Sequence, residues 1–375
     1  MTHSNLNTCF KRIIVKVGTS TLTGASGEID LEFLDSLARQ IATLKSLGLD
    51  VLLVTSGSIR AGMEKMGFTE RPSTIPEKQA AAAVGQGHLM RMYLEAFSKY
   101  GILVGQVLLT REDFGDRKRY LNARNTLFEL FRHGVLPIVN ENDTIATDEI
   151  KVGDNDTLAA LVAANLEADL LILLSDVPGL YDRKPNGELS EGIIHTVTKI
   201  DSRIRSIAGG AGSQNGTGGM RTKIEAGIIA TNCGVTMCIA HGRHENILID
   251  IASGAEAGTK FLPRKEYLCG RKKWIAFGAS PRGSIVINDG AKAAVCENGK
   301  SLLAAGVTDV SGRFSAGSIV KLVDQQGNQL AIGFVNYSAD DILKVMGRKS
   351  SEIDSILGHK DFDEIVHRDN MVLRP

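Results

Sequence analysis

Six short, mostly apolar runs recur through the first two-thirds of this chain, and they constrain its fold more than any other feature. They are Ile13–Val15, Val51–Val54, Ile102–Leu109, Val135–Val139, Leu170–Leu174 and Val235–Ile239. A strand with so continuous an apolar run has no polar face to leave in water, so it must be covered on both sides. Between the first two runs, Leu31, Leu34, Leu37, Ala38, Ile41 and Leu44 repeat at helical spacing until Gly48 ends the pattern. Buried strands alternating with helices predict an α/β fold, a mostly parallel open sheet sandwiched by helices. Ligands bind such a sheet beyond the carboxyl ends of its strands, so chemistry is sought in the residues that follow each run.

Beyond about residue 265 the texture changes. From Trp274 the runs are short, alternating and broken by glycine, as in Gly283–Gly290, Gly312–Val323 and Gln329–Val335. That spacing predicts a small β-barrel. A length of 375 residues also exceeds what one core usually organises. The expected organisation is an α/β domain over residues 1–265, a linker over 266–280, a β domain over 281–359 and a tail over 360–375. Lys and Arg number 43, as do Asp and Glu, so any anion site must be local. Five cysteines without a Cys-x-x-Cys pair argue for a reducing, cytoplasmic setting. Cys233 and Cys238 lie in an apolar stretch and read as buried free thiols. No apolar run is long enough to span a bilayer.

Several segments beyond the runs carry groups suited to phosphate. Lys16-Val17-Gly18-Thr19-Ser20 follows the first run and Thr55-Ser56-Gly57-Ser58 the second. Asn140-Glu141-Asn142-Asp143 ends the fourth, with Gly153-Asp154-Asn155-Asp156 shortly after; Ser175-Asp176 ends the fifth. Gly216-Thr217-Gly218-Gly219-Met220-Arg221-Thr222-Lys223 sets a glycine loop before a helix, where backbone N–H groups can face an anion. Singly, each has a bland reading: a solvated lysine, an Asx turn, a plain connection. Together they fall where a parallel sheet binds ligands. The chain has no Gly-x-x-x-x-Gly-Lys-Ser/Thr loop, no dinucleotide fingerprint after a strand and no protein-kinase motif set. His241-Gly242-Arg243-His244-Glu245 reads as a loop rather than a zinc site.

In their order these segments resemble the amino-acid kinase superfamily, and specifically its branch that phosphorylates glutamate. Val54–Gly57, Ala83-Val84-Gly85-Gln86, Gln106–Arg111, Arg119–Arg124, Asn140–Thr144, Gly153–Asp156, Thr217–Lys223 and His367–Met371 carry the likeness, which spans nearly the whole chain. The C-terminal part resembles a PUA domain. The resemblance implies ATP-dependent phosphorylation of the γ-carboxylate of L-glutamate, the first step of proline biosynthesis, with Mg²⁺ carried by ATP and no protein metal site. It implies Lys16, Lys223 and Asp156 as catalytic residues. For ATP it implies Lys16, Ser175, Asp176, Thr217, Gly218, Gly219, Met220, Arg221, Thr222 and Lys223, and for the amino acid Ser56, Asp143 and Asn155. It further implies proline as feedback inhibitor, a homo-oligomer and a glutamyl phosphate reductase as partner, with neither membrane nor nucleic acid engaged.

Two departures from the family pattern stand out. Lys184 precedes Pro185 where an acid is usual, which bears on base recognition, and Ser318 follows Gly317 where aspartate is usual. The open alternatives are acetylglutamate kinase, aspartokinase or a related kinase, and an RNA-binding protein acting through the PUA-like part. An RNA site calls for clustered Lys and Arg, and Arg271-Lys272-Lys273 in a linker is thin evidence for one.

Overall fold

A computed structural model describes residues 10–24, 27–145, 155–183, 189–207, 219–268, 270–278 and 281–373. By its contacts the chain divides into two compact units, residues 1–113 with 118–267, and residues 114–117 with 268–375.

The first unit runs β1 (Arg12–Val17), α1 (Thr19–Leu22), α2 (Leu31–Ser46), β2 (Asp50–Val54), α3 (Ser58–Met66), α4 (Ile75–Ser98) and β3 (Val104–Leu109). It continues through α5 (Arg111–Gly115), which straddles the two units, α6 (Arg117–Arg132), β4 (Leu136–Glu141), α7 (Asn155–Asn165) and β5 (Leu170–Ser175). It ends with β6 (Tyr181–Arg183), β7 (Leu189–Ile193), β8 (Thr196–Val197), α8 (Ser202–Ile207), α9 (Met220–Asn232), β9 (Thr236–His241), α10 (Ile247–Ala252) and β10 (Thr259–Phe261). Eight strands form one sheet in the order β3-β4-β2-β1-β5-β9-β10-β8. Every pair is parallel except β9 with β10.

The apolar runs form the strands for the reason the sequence gives. Ile13, Ile14, Val15 and Val17 of β1 and Val51–Val54 of β2 have no exposed surface, so both faces of the central strands are covered. Helix α2 is capped by Asp30, whose side chain accepts from the Glu32 and Phe33 N–H groups. Its apolar stripe of Leu34, Leu37, Ile41 and Leu44 packs into the same core as Val15, Leu53 and Ile172. Register puts Lys16 level with Val54 of β2 and Leu173 of β5, and Val54 level with Val139 of β4. The carboxyl ends of four neighbouring strands therefore share one edge, and Lys16, Thr55, Asn140 and Ser175 arrive there together.

The second unit holds α11 (Arg271–Lys273), a π-turn (Trp274–Gly278), β11 (Gly283–Ile287), α12 (Asp289–Cys296), β12 (Leu302–Leu303), β13 (Val307–Gly312), β14 (Ile319–Val323) and β15 (Gln329–Phe334). After these come α13 (Ala339–Val345), α14 (Ile353–Leu357), β16 (Glu364–Val366) and β17 (Met371–Leu373). Its five-stranded sheet, in the order β13-β11-β14-β15-β17, is antiparallel apart from β11 with β14. Ile285, Val320, Leu322, Val335, Ile342 and Ile365 centre a separate core.

Two features differ from the sequence reading. Residues 371–373, read as tail, pair with Ala331–Gly333 as an edge strand. The stretch read as linker is helical over residues 271–278, and its Trp274 is buried with the indole N–H donating to the Phe114 carbonyl at 2.6 Å. Phe114–Arg117 accordingly group with the C-terminal unit although they lie in the N-terminal part of the sequence.

Candidate active site

Three charged side chains that the sequence scatters along the first unit converge beyond the sheet edge. Lys16 comes from β1, Asp156 from the first turn of α7 and Lys223 from the first turn of α9. Lys16 Nζ lies 2.7 Å from Asp156 Oδ1, and Lys223 Nζ lies 3.1 Å from Asp156 Oδ2. The Thr222 hydroxyl donates to Asp156 Oδ2 at 2.8 Å and lies 2.9 Å from the Gly219 carbonyl oxygen. Asp156 has no exposed surface, and each lysine is only 6% exposed. Charges so buried persist only when paired. Burial alone would raise the Asp156 pKa, but Lys16 and Lys223 outweigh it and hold the carboxyl at about 2. Burial lowers the Lys16 pKa below 10.5, with Asp156 opposing that shift. Two ammonium groups share one carboxylate, so the trio is formally cationic and suited to receive an anion.

A second cluster lies around the turn after β2. Gly57 takes φ +99°, a left-handed conformation that a side chain would strain, and it opens α3. Ser58 then donates to Asp143 Oδ2 at 2.8 Å. Asp143 is 9% exposed, and burial raises its pKa while the Ser58 hydrogen bond works against the rise. A buried carboxylate held by one hydroxyl has the charge to accept an ammonium group. Asn155, the first residue of α7, sends its amide nitrogen toward the Thr55 carbonyl at 2.9 Å, Ser56 Oγ at 2.8 Å and Asn140 Oδ1 at 3.2 Å. Its nitrogen is thus committed to protein acceptors, and among the described residues its buried Oδ1 has no partner.

Also at this sheet edge, Ser175 ends β5 and donates to Asp176 Oδ1 at 3.0 Å. Asp176 also acts on Lys16 through its charge, which ties this segment to the lysine cluster. Gly219 is the N-cap of α9, and the first N–H groups of such a helix are suited to face an anion. Gly18 lies beside the cluster, for a Cβ there would come within 3.3 Å of Lys16 Nζ. Arg221 does not join the cluster through its side chain, which is 81% exposed and paired with Glu225 at 3.1 Å. Met220 is half-buried in the first turn of α9. Thr217, Gly218, Gly153, Asp154, Lys184 and Pro185 lie outside the described residues. Among the described residues no three His, Cys, Asp or Glu side chains group to hold a metal ion, and no helix is long and apolar enough to cross a membrane.

Gln86 and Asn140 belong to this neighbourhood too, and the sequence reading gave neither a role. Asn140 Nδ2 donates to Gln86 Oε1 at 2.7 Å, with the two residues 1% and 9% exposed. The available signal was a glutamine on the buried face of a long helix, inside the segment Ala83–Gln86.

A cationic cradle at the carboxyl edge of a parallel sheet, with a buried carboxylate nearby, fits an enzyme that transfers a phosphoryl group to a small molecule. Consistently, residues 11–241 match the amino acid kinase family and residues 283–357 match the PUA domain. The glutamate 5-kinase of Caldanaerobacter subterraneus subsp. tengcongensis is 51% identical over 362 residues, covering 96% of this chain and 97% of that protein. Those of Moorella thermoacetica and Syntrophus aciditrophicus are 50% and 49% identical, each over 97% of this chain and over 96% and 94% of their own lengths. The chain belongs to the glutamate 5-kinase family, with an amino acid kinase domain followed by a PUA domain.

Proposed function

We propose that the chain transfers the γ-phosphoryl group of ATP to the γ-carboxylate of L-glutamate, giving L-glutamyl 5-phosphate and ADP at the entry to proline biosynthesis. The observation that carries this reading is the sharing of Asp156 by Lys16 and Lys223. In the reaction a carboxylate oxygen forms a bond to the γ-phosphorus while the bond from that phosphorus to the β,γ-bridging oxygen breaks, the electron pair leaving with ADP. The acceptor's reference pKa is about 4.3, so it is ionised at neutral pH and needs no general base. The obstacle is repulsion between two anions. Lys16 and Lys223 meet it from two elements, with Asp156 holding both in place, because mobile ammonium groups would spend little time on the equatorial oxygens. Mg²⁺ brought by ATP would supply further charge neutralisation. Both oxygens of Asp156 face ammonium groups, Oδ1 toward Lys16 and Oδ2 toward Lys223, which fits a metal carried by the nucleotide.

Asp143 and the Ser56–Ser58 turn serve the amino-acid end, and Ser175, Asp176 and residues 217–223 serve ATP. Proline shares glutamate's α-amino and α-carboxyl groups and lacks the reactive carboxylate, so it acts as feedback inhibitor by competing with glutamate and not with ATP. The acyl phosphate is labile, so a cytoplasmic glutamyl phosphate reductase is the expected consumer, and the enzyme works as a homo-oligomer. The test is ATP consumption by purified protein with glutamate, aspartate, acetylglutamate, carbamate and UMP, with hydroxylamine trapping the acyl phosphate as a hydroxamate. Turnover and hydroxamate with glutamate alone are expected; preference for another acceptor overturns the reading.

A further inference from the structure

The contacts of Gln86, Asn140 and Asn155 form a chain of three amides with one direction. Asn155 donates to Asn140 Oδ1 at 3.2 Å, and Asn140 donates to Gln86 Oε1 at 2.7 Å. The Glu141 backbone N–H also donates to Asn140 Oδ1 at 2.9 Å, and the Thr55 carbonyl, an acceptor only, takes the Asn155 nitrogen at 2.9 Å. Both amide-to-amide hydrogen bonds therefore run from Asn155 toward Gln86. Among the described residues two buried atoms are left without partners, Asn155 Oδ1 at one end and Gln86 Nε2 at the other. Buried polar atoms are rarely left so unless something absent from the free protein completes them.

Position gives the Asn155 end its meaning. Asn155 is bonded to Ser56, and Asp143 is bonded to Ser58, so both acceptors flank one three-residue turn. Two acceptors at a common turn, one a carboxylate, suit an ammonium group, which offers three donors. We propose that Gln86 is a positioning residue of the amino-acid subsite: by accepting from Asn140 it fixes the direction of the amide chain and keeps the Asn155 oxygen turned to the ligand's ammonium. This rests on the glutamate reading and deepens it, assigning Asn155 to the α-ammonium end. Without the Gln86 oxygen, the buried Asn140 NH₂ group loses its acceptor. The neighbouring Asn155 oxygen is the amide acceptor it would then recruit, which withdraws that oxygen from the ligand.

Gln86→Met keeps the side chain's length and removes the acceptor. Gln86→Glu keeps an acceptor whether the carboxyl is ionised or protonated. Steady-state kinetics of the full-length variants separate the possibilities. The Met variant is expected to raise KM for glutamate by about tenfold or more, the scale of one hydrogen bond to a charged group, while KM for ATP stays within about twofold. The Glu variant is expected to return KM for glutamate to within about threefold of wild type. A Met variant with wild-type KM overturns the proposal, as does an equal rise in both KM values. A Glu variant as impaired as the Met variant also overturns it, since the Gln86 nitrogen would then be touching ligand directly. If the Met variant fails to fold, the Glu variant decides on the same criterion. Absence of glutamate-dependent turnover in wild-type protein instead defeats the substrate reading, a separate result.

Discussion

Lys16 at the end of β1 and Asp156 in the first turn of α7 meet at 2.7 Å, and this contact joins the sheet to the helix where phosphoryl transfer is proposed. Asp156 has no exposed surface, so its charge depends on Lys16 and Lys223 for compensation. Lys16→Ala and Lys223→Ala are each expected to lower kcat by about two orders of magnitude or more, the scale of losing one charge-stabilising donor. Wild-type-like turnover in either would remove the central element of the mechanism. The buried Lys16 also loses its proton more readily than a free lysine, whose pKa is near 10.5. The alkaline limb of kcat/KM, which reports the free enzyme, should therefore fall below that value. A limb at or above it would dissociate Lys16 from the pH dependence.

Asp156→Asn tests the same contact through stability. Removing one partner of a buried ion pair typically costs about 3–5 kcal/mol, because the remaining charges stay buried. The pH dependence carries a definite sign. The folded carboxyl, at about 2, lies below its ordinary value of 3.8, so its stabilisation is present above pH 4 and lost as pH falls through 2. That shift corresponds to about 2–3 kcal/mol. Urea midpoints of wild type should thus fall more steeply than those of the Asn variant between pH 4 and pH 2. Parallel curves would mean that Asp156 is not held ionised by the lysines.

Asn155→Ala separates binding from chemistry. Asn155 contacts the Ser56 and Asn140 side chains, so its loss should raise KM for glutamate far more than KM for ATP. Equal rises would place Asn155 outside the amino-acid subsite.

Much of the fold was legible because its central strands are buried on both faces. The runs beginning at Ile13, Val51 and Leu170 match β1, β2 and β5 within two residues. Lys16, Asp156 and Lys223 were singled out through the family resemblance, since each alone reads equally well as a solvated charge or a turn residue. The Gln86–Asn140–Asn155 chain was not legible, since a sequence shows polar residues without showing which pairs face each other. Nor was β17, for three residues are too short to display an alternating pattern. The membership of Phe114–Arg117 in the C-terminal unit is likewise a long-range fact.

Gly85 joins a helix contact to the amino-acid subsite. A Cβ there would lie 1.8 Å from the Ser58 carbonyl oxygen and 2.3 Å from the Gly62 nitrogen, both backbone atoms that cannot rotate away. Helices α3 and α4 are therefore in backbone contact, and Ser58 begins the helix while holding Asp143. Gly85→Ala should cost about 1–3 kcal/mol or more by overpacking and should raise KM for glutamate as Ser58 shifts. Gly87→Ala, two residues along the same helix with no atom within 4 Å of its Cβ, is the control. It should be neutral or stabilise by about 0.5–1 kcal/mol. Equal thermal midpoints for the two variants would show that the close approach is unimportant.

Truncation after Gly270 tests whether catalysis needs the C-terminal unit. Every residue proposed to act on substrate precedes the cut, Lys223 being the last. Phe114 also precedes it, yet Phe114 is 2% exposed and packs in the unit that is removed. There its carbonyl accepts from the Trp274 indole, which stacks on Phe334 at 5.1 Å and lies beneath the Arg117 guanidinium at 5.5 Å. Uncovering a buried phenylalanine forfeits about 1.5–3 kcal/mol and presents an apolar surface to other molecules. The truncated chain should therefore aggregate, and Phe114→Ser in the same truncation should restore solubility. Activity per folded molecule, with folding checked by circular dichroism, should then approach that of the full chain. Equal solubility with and without the serine would show that Phe114 is covered by something else. A soluble, folded serine variant without glutamate-dependent ATP turnover would mean that the PUA-containing unit takes part in catalysis, contrary to the assignment of all site residues to the first unit.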